Sequence, residues 1–163
     1  MQFMRTRTEE RHSGTGSRRA GYRPVATRRV EENRKEQWRF DAAAPIAAQR
    51  ARRAFVEALR ARSVAESSLE ASALIFGELV GNAVRHAPRG ALFVELDWGG
   101  AHPVLRVCDR GQGFSLTTSL PAVDRETGRG LFLVSRIALG LDVSTKVGQG
   151  CTVSAVLPVN GDS

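Results

Sequence analysis

A carboxylate, an amide and two basic side chains recur at helical spacing in one segment of the chain. Glu78 and Asn82 are four residues apart, and Arg85 and His86 follow one turn later. Residues at this spacing are neighbours on a helix surface, so the pattern predicts a carboxylate and an amide side by side. A solvated helix face with an incidental polar pair would produce the same pattern.

An aspartate and two glycines follow directly on a run of residues with strand-like alternation. The segment reads Asp109-Arg-Gly111-Gln-Gly113. A carboxylate acceptor beside flexible backbone suits the amino group of a purine. The alternative is an ordinary Asp-x-Gly turn without a ligand.

Two further glycines open a segment with helical periodicity. They belong to the sequence Gly128-Arg129-Gly130-Leu131. Glycines at a helix N-terminus let phosphate oxygens approach free backbone N–H groups and the positive end of the helix dipole. A Gly-x-Gly sequence is nevertheless common without any such role.

Hydrophobic periodicity predicts the elements that position these residues. The predicted order is a strand at 37–40, a helix after Pro45 to about Ser63, a helix N-capped by Ser67 or Ser68 to about His86, strands at 92–98 and 104–108, an irregular segment at 109–128, a helix at 129–138, and a hairpin of 141–147 with 151–159. This order predicts an α+β fold, a two-layer sandwich with helices on one face of a mixed or antiparallel sheet.

The second predicted helix has two contrasting sides. Its apolar stripe consists of Leu69, Ala73, Phe76, Val80, Ala83 and Ala87. The polar residues Glu78, Asn82, Arg85 and His86 are expected on the opposite side. The apolar stripe is expected to pack on the sheet.

The three motifs occur in an order that resembles the GHKL ATPases of the Bergerat fold. The segment from Glu78 to His86 is similar to the N box of that family, 109–113 to its G1 box, and 128–131 to its G2 box. The resemblance covers about residues 38–158. The short domain, the compact lid and the Ala/Arg-rich first helix are most similar to the anti-sigma-factor serine/threonine kinases of bacterial partner switching.

The resemblance implies ATP and Mg²⁺ as ligands and a role for each motif. It implies Asn82 as the Mg²⁺ ligand and Glu78 as the catalytic general base, and it places the adenine amino group at Asp109. The remaining implied binding residues are Arg85, His86, Gly111, Gly113, Gly128, Arg129, Gly130, Leu131 and Thr152. The segment from Phe114 to Thr127 is expected to close over the nucleotide as a lid.

Two departures from the family pattern bear on the role of Thr152 and on the class of kinase that is expected. The last box reads Gly148-Gln-Gly150-Cys-Thr152, whereas sensor histidine kinases usually place Thr immediately after the second glycine. We also expect no phosphoacceptor histidine on a helical hairpin, because His12 lies in the predicted leader, His86 in the N box and His102 in the turn before a strand. Autophosphorylation on histidine is therefore not expected.

The resemblance leaves two functions open. The first is a kinase that phosphorylates an anti-sigma antagonist protein and alternately sequesters a sigma factor. The second is a non-catalytic, ATP-dependent protein-binding module. Homodimerisation is common among similar proteins, but the surface it would use cannot be predicted from these residues.

The positive charge lies almost entirely in residues 1–35, which we predict to be a disordered basic leader before a domain at 36–160. The first forty residues carry eleven Arg and Lys against five Glu, whereas the rest of the chain carries thirteen basic and twelve acidic residues. A nucleic-acid-binding role would depend on the leader alone, since no helix-turn-helix, zinc or RNA-binding signature accompanies the charge, and direct nucleic-acid binding is not expected.

The cysteines and the hydropathy pattern predict an intracellular protein. Cys108 and Cys151 match no metal-ligand spacing and are expected to be reduced, small apolar side chains. No run approaches the roughly 20 apolar residues of a membrane helix, and no signal peptide is recognisable. We therefore predict a cytoplasmic location without membrane contact.

Overall fold

The architecture is that of a computed structural model, which describes residues 34–44, 46–87, 89–110, 126–146 and 150–160. The elements in chain order are β1 (Lys35–Asp41), α1 (Ala47–Ala61), α2 (Glu66–His86), β2 (Ala91–Asp97), β3 (Val104–Asp109), α3 (Glu126–Ile137), β4 (Gly140–Lys146) and β5 (Gly150–Val156). This is the predicted order of strands and helices. The predicted leader lies outside the described residues except for its last two positions.

The five strands form one sheet in the order β1-β2-β3-β5-β4. All four ladders are antiparallel, so the antiparallel alternative of the fold prediction is the one observed. The segment at 37–40 belongs to an edge strand, as predicted. The ladder between β3 and β5 joins the two hairpin regions of the chain and lies near the centre of the sheet.

The helices cover one face of the sheet, which makes the molecule the predicted two-layer α+β sandwich. Strands β2 and β3 alternate between buried and half-buried residues because successive side chains point to opposite faces. The buried positions pack under α1 and α2. The core centres on Phe55 of α1, whose ring stacks on Phe76 of α2 at a centroid distance of 4.7 Å and meets Trp38 of β1 edge-on at 6.5 Å.

Helix α2 is the central helix, and it contacts α1, α3 and β3. All six residues of its predicted apolar stripe are buried. Four more buried side chains, Ser72, Ile75, Leu79 and Asn82, lie on a second flank of the helix. This second buried flank exists because α2 packs against helices on both sides.

Two predicted helix starts were wrong. Helix α2 begins at Glu66 after Ala65, with no side-chain cap, instead of after Ser67 or Ser68. Glu66 lies in the first turn, where a negative side chain interacts favourably with the helix dipole. Helix α3 begins at Glu126, three residues before the predicted start, so the predicted lid cannot extend to Thr127 in irregular conformation.

Candidate functional site

Glu78 and Asn82 lie on the flank of α2 that faces α3. A Cβ atom added to Gly130 of α3 would lie 2.2 Å from Oε2 of Glu78 and 3.9 Å from Nδ2 of Asn82. Such a contact with the carboxylate is shorter than any side chain tolerates. The glycine therefore leaves the space in which the Glu78 carboxylate lies, and it brings the N-terminal half of α3 next to the α2 pair.

The amide of Asn82 is buried, with only 2% of the residue exposed. Its Oδ1 accepts a hydrogen bond from Nη2 of Arg85. Its Nδ2 has no hydrogen-bond partner within the described part of the chain. A buried donor without an acceptor costs about 1–3 kcal/mol, so this atom is well suited to an acceptor from a ligand.

The burial of Asn82 did not follow from the sequence, which put this residue on the side of the helix opposite the apolar stripe. Periodicity of a single helix separates an apolar from a polar side, but it does not show that a second helix covers part of the polar side. Helix α3 does so here. Arg85 and His86 are exposed in the last turn of α2, as their polar character predicts.

Asp109 ends the central strand β3, and only 5% of the residue is exposed. Its neighbour across the ladder is Cys151 of β5. Gly150, just before that cysteine, has a φ of +97°, and a Cβ there would lie 1.8 Å from the carbonyl oxygen of Asp109. The glycine permits β5 to start in contact with the backbone that carries the aspartate.

Thr152 was predicted near the adenine, but its side chain lies on the other face of the sheet. It pairs with Cys108 across the ladder, and its hydroxyl donates a hydrogen bond to the Cys108 sulfur at 3.3 Å. Because side chains alternate along a strand, the neighbour of Asp109 on the helix-covered face is Cys151, which is 1% exposed. Sequence reasoning did not place Cys151 beside Asp109.

A signal for Cys151 was present in the sequence. Cys151 immediately follows the second glycine, the position at which sensor histidine kinases usually carry Thr. Neither cysteine forms a disulfide within the described residues, in agreement with the predicted reduced state. They lie on neighbouring strands and on opposite faces of the sheet.

The remaining predicted site residues divide between α3 and the segment outside the described residues. Gly128 is the third residue of α3, and Arg129 beside it is exposed. Leu131 is half-buried and packs against the core. Gly111, Gly113 and the predicted lid from Phe114 to residue 125 lie outside the described residues.

A family model for the histidine kinase-like ATPase domain matches residues 42–157. This chain belongs to that family. The match spans α1 to the end of β5 and includes Glu78, Asn82, Asp109 and Gly130. No curated protein matches the chain.

Membership among the histidine kinase-like ATPase domains implies that the chain binds ATP. The side chains present are compatible with such a ligand, because a buried carboxyl lies at the end of β3 and the buried Asn82 amide donor has no acceptor among the described residues. The described residues of this ATPase domain include no group of three or more His, Cys, Asp or Glu that could hold a metal ion. None of the helices in the described part of the chain has the length and apolar content to cross a membrane.

Proposed function

We propose that this ATPase domain is an anti-sigma-factor-type protein serine/threonine kinase. It phosphorylates a Ser or Thr of an antagonist protein and alternately binds a sigma factor. The observation that carries the catalytic part is the Glu78 carboxylate against Gly130 of α3, with the buried amide of Asn82 beside it. The subtype is supported by the short domain and the Ala/Arg-rich α1.

The nucleotide lies between Asp109 and the α2–α3 contact in this proposal. Asp109 accepts a hydrogen bond from the adenine amino group, which orients the base. The phosphates extend toward Asn82 and the N-terminal end of α3, where the helix dipole favours negative charge. Asn82 would hold Mg²⁺ through its side-chain oxygen, since this ion is often bound by one or two protein ligands together with phosphates and water.

Glu78 acts as the general base of the transfer step. It accepts the proton of the attacking Ser or Thr hydroxyl. The hydroxyl oxygen bonds to the γ-phosphorus while the bond between that phosphorus and the β–γ bridging oxygen breaks, and ADP leaves with the electron pair. Bound Mg²⁺ supplies neutralisation of the phosphate charge.

Replacement of the base tests the kinase proposal. Glu78→Gln keeps the shape of the side chain but removes the proton acceptor, so transfer should fall by roughly 10²–10⁴-fold while the Kd for ATP stays within a few-fold. The measurement is phosphate incorporation from labelled ATP into a purified candidate antagonist, with ADP release followed in parallel. Glu70→Gln, an exposed glutamate on the same helix, is the matched control and should leave both quantities unchanged.

A non-catalytic module that binds partner proteins and uses ATP as a structural ligand is the second candidate. One observation favours it, because the Asn82 oxygen that Mg²⁺ would need already accepts a hydrogen bond from Arg85. If the wild-type protein binds ATP but neither transfers phosphate nor releases ADP, this second function replaces the first.

A further inference from the structure

Arg85 holds the side-chain amide of Asn82 in one of its two orientations. The guanidinium donates to Oδ1, three residues back along α2. With its oxygen turned toward Arg85, the amide turns its nitrogen toward α3, where Nδ2 lies 3.9 Å from the Cβ position of residue 130. That nitrogen is buried and unpartnered within the described residues.

A metal ion and the Arg85 guanidinium would compete for the same atom. An amide has one oxygen acceptor, and its NH₂ group cannot ligate a cation. A divalent ion on Oδ1 would also lie within a few ångströms of a permanent positive charge, and like charges at such a distance repel strongly in a part-buried site. The oxygen has two lone pairs, so the competition comes from this repulsion, and each ligand weakens binding of the other.

The amide in its present orientation is suited to an anion. Its donor faces Gly130, the fifth residue of α3, one turn from the helix N-terminus, where the dipole favours negative charge. A phosphate oxygen there would satisfy the Nδ2 donor without a metal. Arg85 thus keeps Asn82 in the form that binds phosphate directly.

The two side chains differ in their freedom to move. Arg85 is exposed in the last turn of α2, so its guanidinium can leave Asn82 and be solvated. Asn82 is 2% exposed and cannot follow it. Release of Arg85, followed by rotation of the buried amide, is therefore the simple route to a metal-binding Asn82.

We propose that Arg85 is a positioning residue that sets the magnesium requirement of nucleotide binding by competing with the ion for Oδ1 of Asn82. The proposal rests on the proposed function, since it takes the nucleotide site to include Asn82. With Arg85 present, the protein retains affinity for metal-free ATP. Without it, affinity depends more strongly on magnesium.

The test compares ATP affinity with and without magnesium in the intact protein. Calorimetry gives the Kd for ATP in excess EDTA and in excess Mg²⁺, and the ratio of the two values is the readout. In Arg85→Met this ratio should rise about tenfold over wild type, the size expected for loss of one charge-assisted hydrogen bond. Loss of a positive charge near the phosphates would also raise the ratio, because metal-free ATP is more negative than its magnesium complex. Arg85→Lys, which keeps the charge, separates that effect from loss of the guanidinium contact with Asn82.

Two more variants complete the experiment. Arg89→Met, an exposed arginine just beyond the same helix, is the matched control and should keep the wild-type ratio. Arg85→Lys retains the charge but has one donor group in place of the fork, and its ratio should lie between wild type and Arg85→Met. It also decides the question if Arg85→Met does not fold.

The outcomes are distinguishable. If ATP binds but the ratio is the same in wild type, Arg85→Met and Arg85→Lys, the role of Arg85 is wrong and the proposed function stands. The same conclusion follows if the ratio rises in Arg85→Met but keeps the wild-type value in Arg85→Lys, because the positive charge alone would then explain it. If the wild-type protein binds ATP in neither condition, the proposed function and the role of Arg85 fall together.

Discussion

Gly130 is the residue at which the two helices of the candidate site leave no room for a side chain. A Cβ atom would overlap the Glu78 carboxylate, and the same position lies close to the Asn82 amide. The absence of a side chain at this one position therefore lets the Glu78 carboxylate lie where it does, whereas the Asn82 amide would be in ordinary contact with an added Cβ. The consequence is local, because it acts on the site and not on the hydrophobic core.

Gly130→Ala should impair the site more than the fold. The added methyl must displace the Glu78 carboxylate, so we expect ATP affinity or ADP release to fall by about tenfold or more, which corresponds to about 1.4 kcal/mol. Calorimetry and an ADP-release assay measure the effect, and thermal unfolding shows whether the fold survives.

Gly77→Ala is the matched control, since a Cβ on this exposed helical glycine meets no other atom within 4 Å. It should leave ATP binding unchanged and raise stability by about 0.5–1 kcal/mol through better helix propensity. Equal loss of ATP binding in both variants would contradict the role assigned to Gly130.

The residue types of the site could be predicted from the sequence. The burial of Asn82 and the face of β5 that contacts Asp109 could not. The spacing of Glu78 and Asn82 on one helix follows from periodicity, whereas the burial of Asn82 depends on α3, which comes from a distant part of the chain. The face of β5 that meets Asp109 depends on the pairing register between two strands. A shift of one residue in that register exchanges Cys151 and Thr152.

At the scale of elements, α1, α2 and β1 meet through three aromatic rings. Phe55 is fully buried between Phe76 and Trp38, in stacked and edge-on contacts. Paired aromatic rings contribute about 0.5–1.5 kcal/mol beyond the burial of their area. This aromatic cluster holds α2 against α1 and β1, and α2 in turn positions the elements that it contacts.

Phe55→Ala should lower the free energy of unfolding by about 3–5 kcal/mol, because it removes a large buried ring and leaves a cavity. Urea unfolding followed by circular dichroism measures the change. Phe132→Ala on α3, where the ring is 52% exposed, is the matched control and should change stability by no more than about 0.5 kcal/mol. Similar losses in the two variants would contradict the assigned core.

The order and type of the elements could be predicted because each has a clear period of two or 3.6 residues. The helix ends were less predictable. Ser67 and Ser68 are favourable capping residues, yet α2 begins before them, and the glycines at 128 and 130 suggested a later start for α3 than Glu126. In both cases the helix extends beyond its local signals, which carry less free energy than tertiary packing.

At the scale of the whole molecule, the sheet has one face under helices and one face with polar side chains. On the second face Arg106 contacts Glu95 at 2.7 Å and Asp97 at 3.2 Å, and Lys35 lies 3.4 Å from Asp97. Partial burial by itself would raise the pKa of Asp97. The Gly99 amide, Arg106 and Lys35 outweigh that effect and lower the pKa below 3.8.

The lowered pKa predicts a pH-dependent contribution to stability. The contribution is fully present above the unfolded-state pKa near 3.8 and is lost as pH falls through the lower folded-state value. Asp97→Asn should therefore be less stable than wild type by about 1 kcal/mol at neutral pH, and the difference should shrink in acid below that pKa. Urea unfolding over this pH range measures it.

Asp142→Asn, on the exposed side of edge strand β4, provides the comparison. The free energy of unfolding of this variant should differ little from that of wild type at every pH. If the stability difference between Asp97→Asn and wild type stayed constant into strong acid, it would contradict the stabilising role of the Asp97 carboxylate.

The β3–β5 ladder joins partners such as Cys108 and Thr152 that are 44 residues apart, so loop closure makes this pairing a late step of folding. Asp109 lies in the part of the chain that ends with β3, whereas Gly130 and Cys151 lie in the part that begins with α3. A chain cut between residues 111 and 125 would give two fragments that each carry an incomplete pocket. Adenine nucleotide should then promote association of the two fragments, because it can bind fully only when both parts of the site have come together.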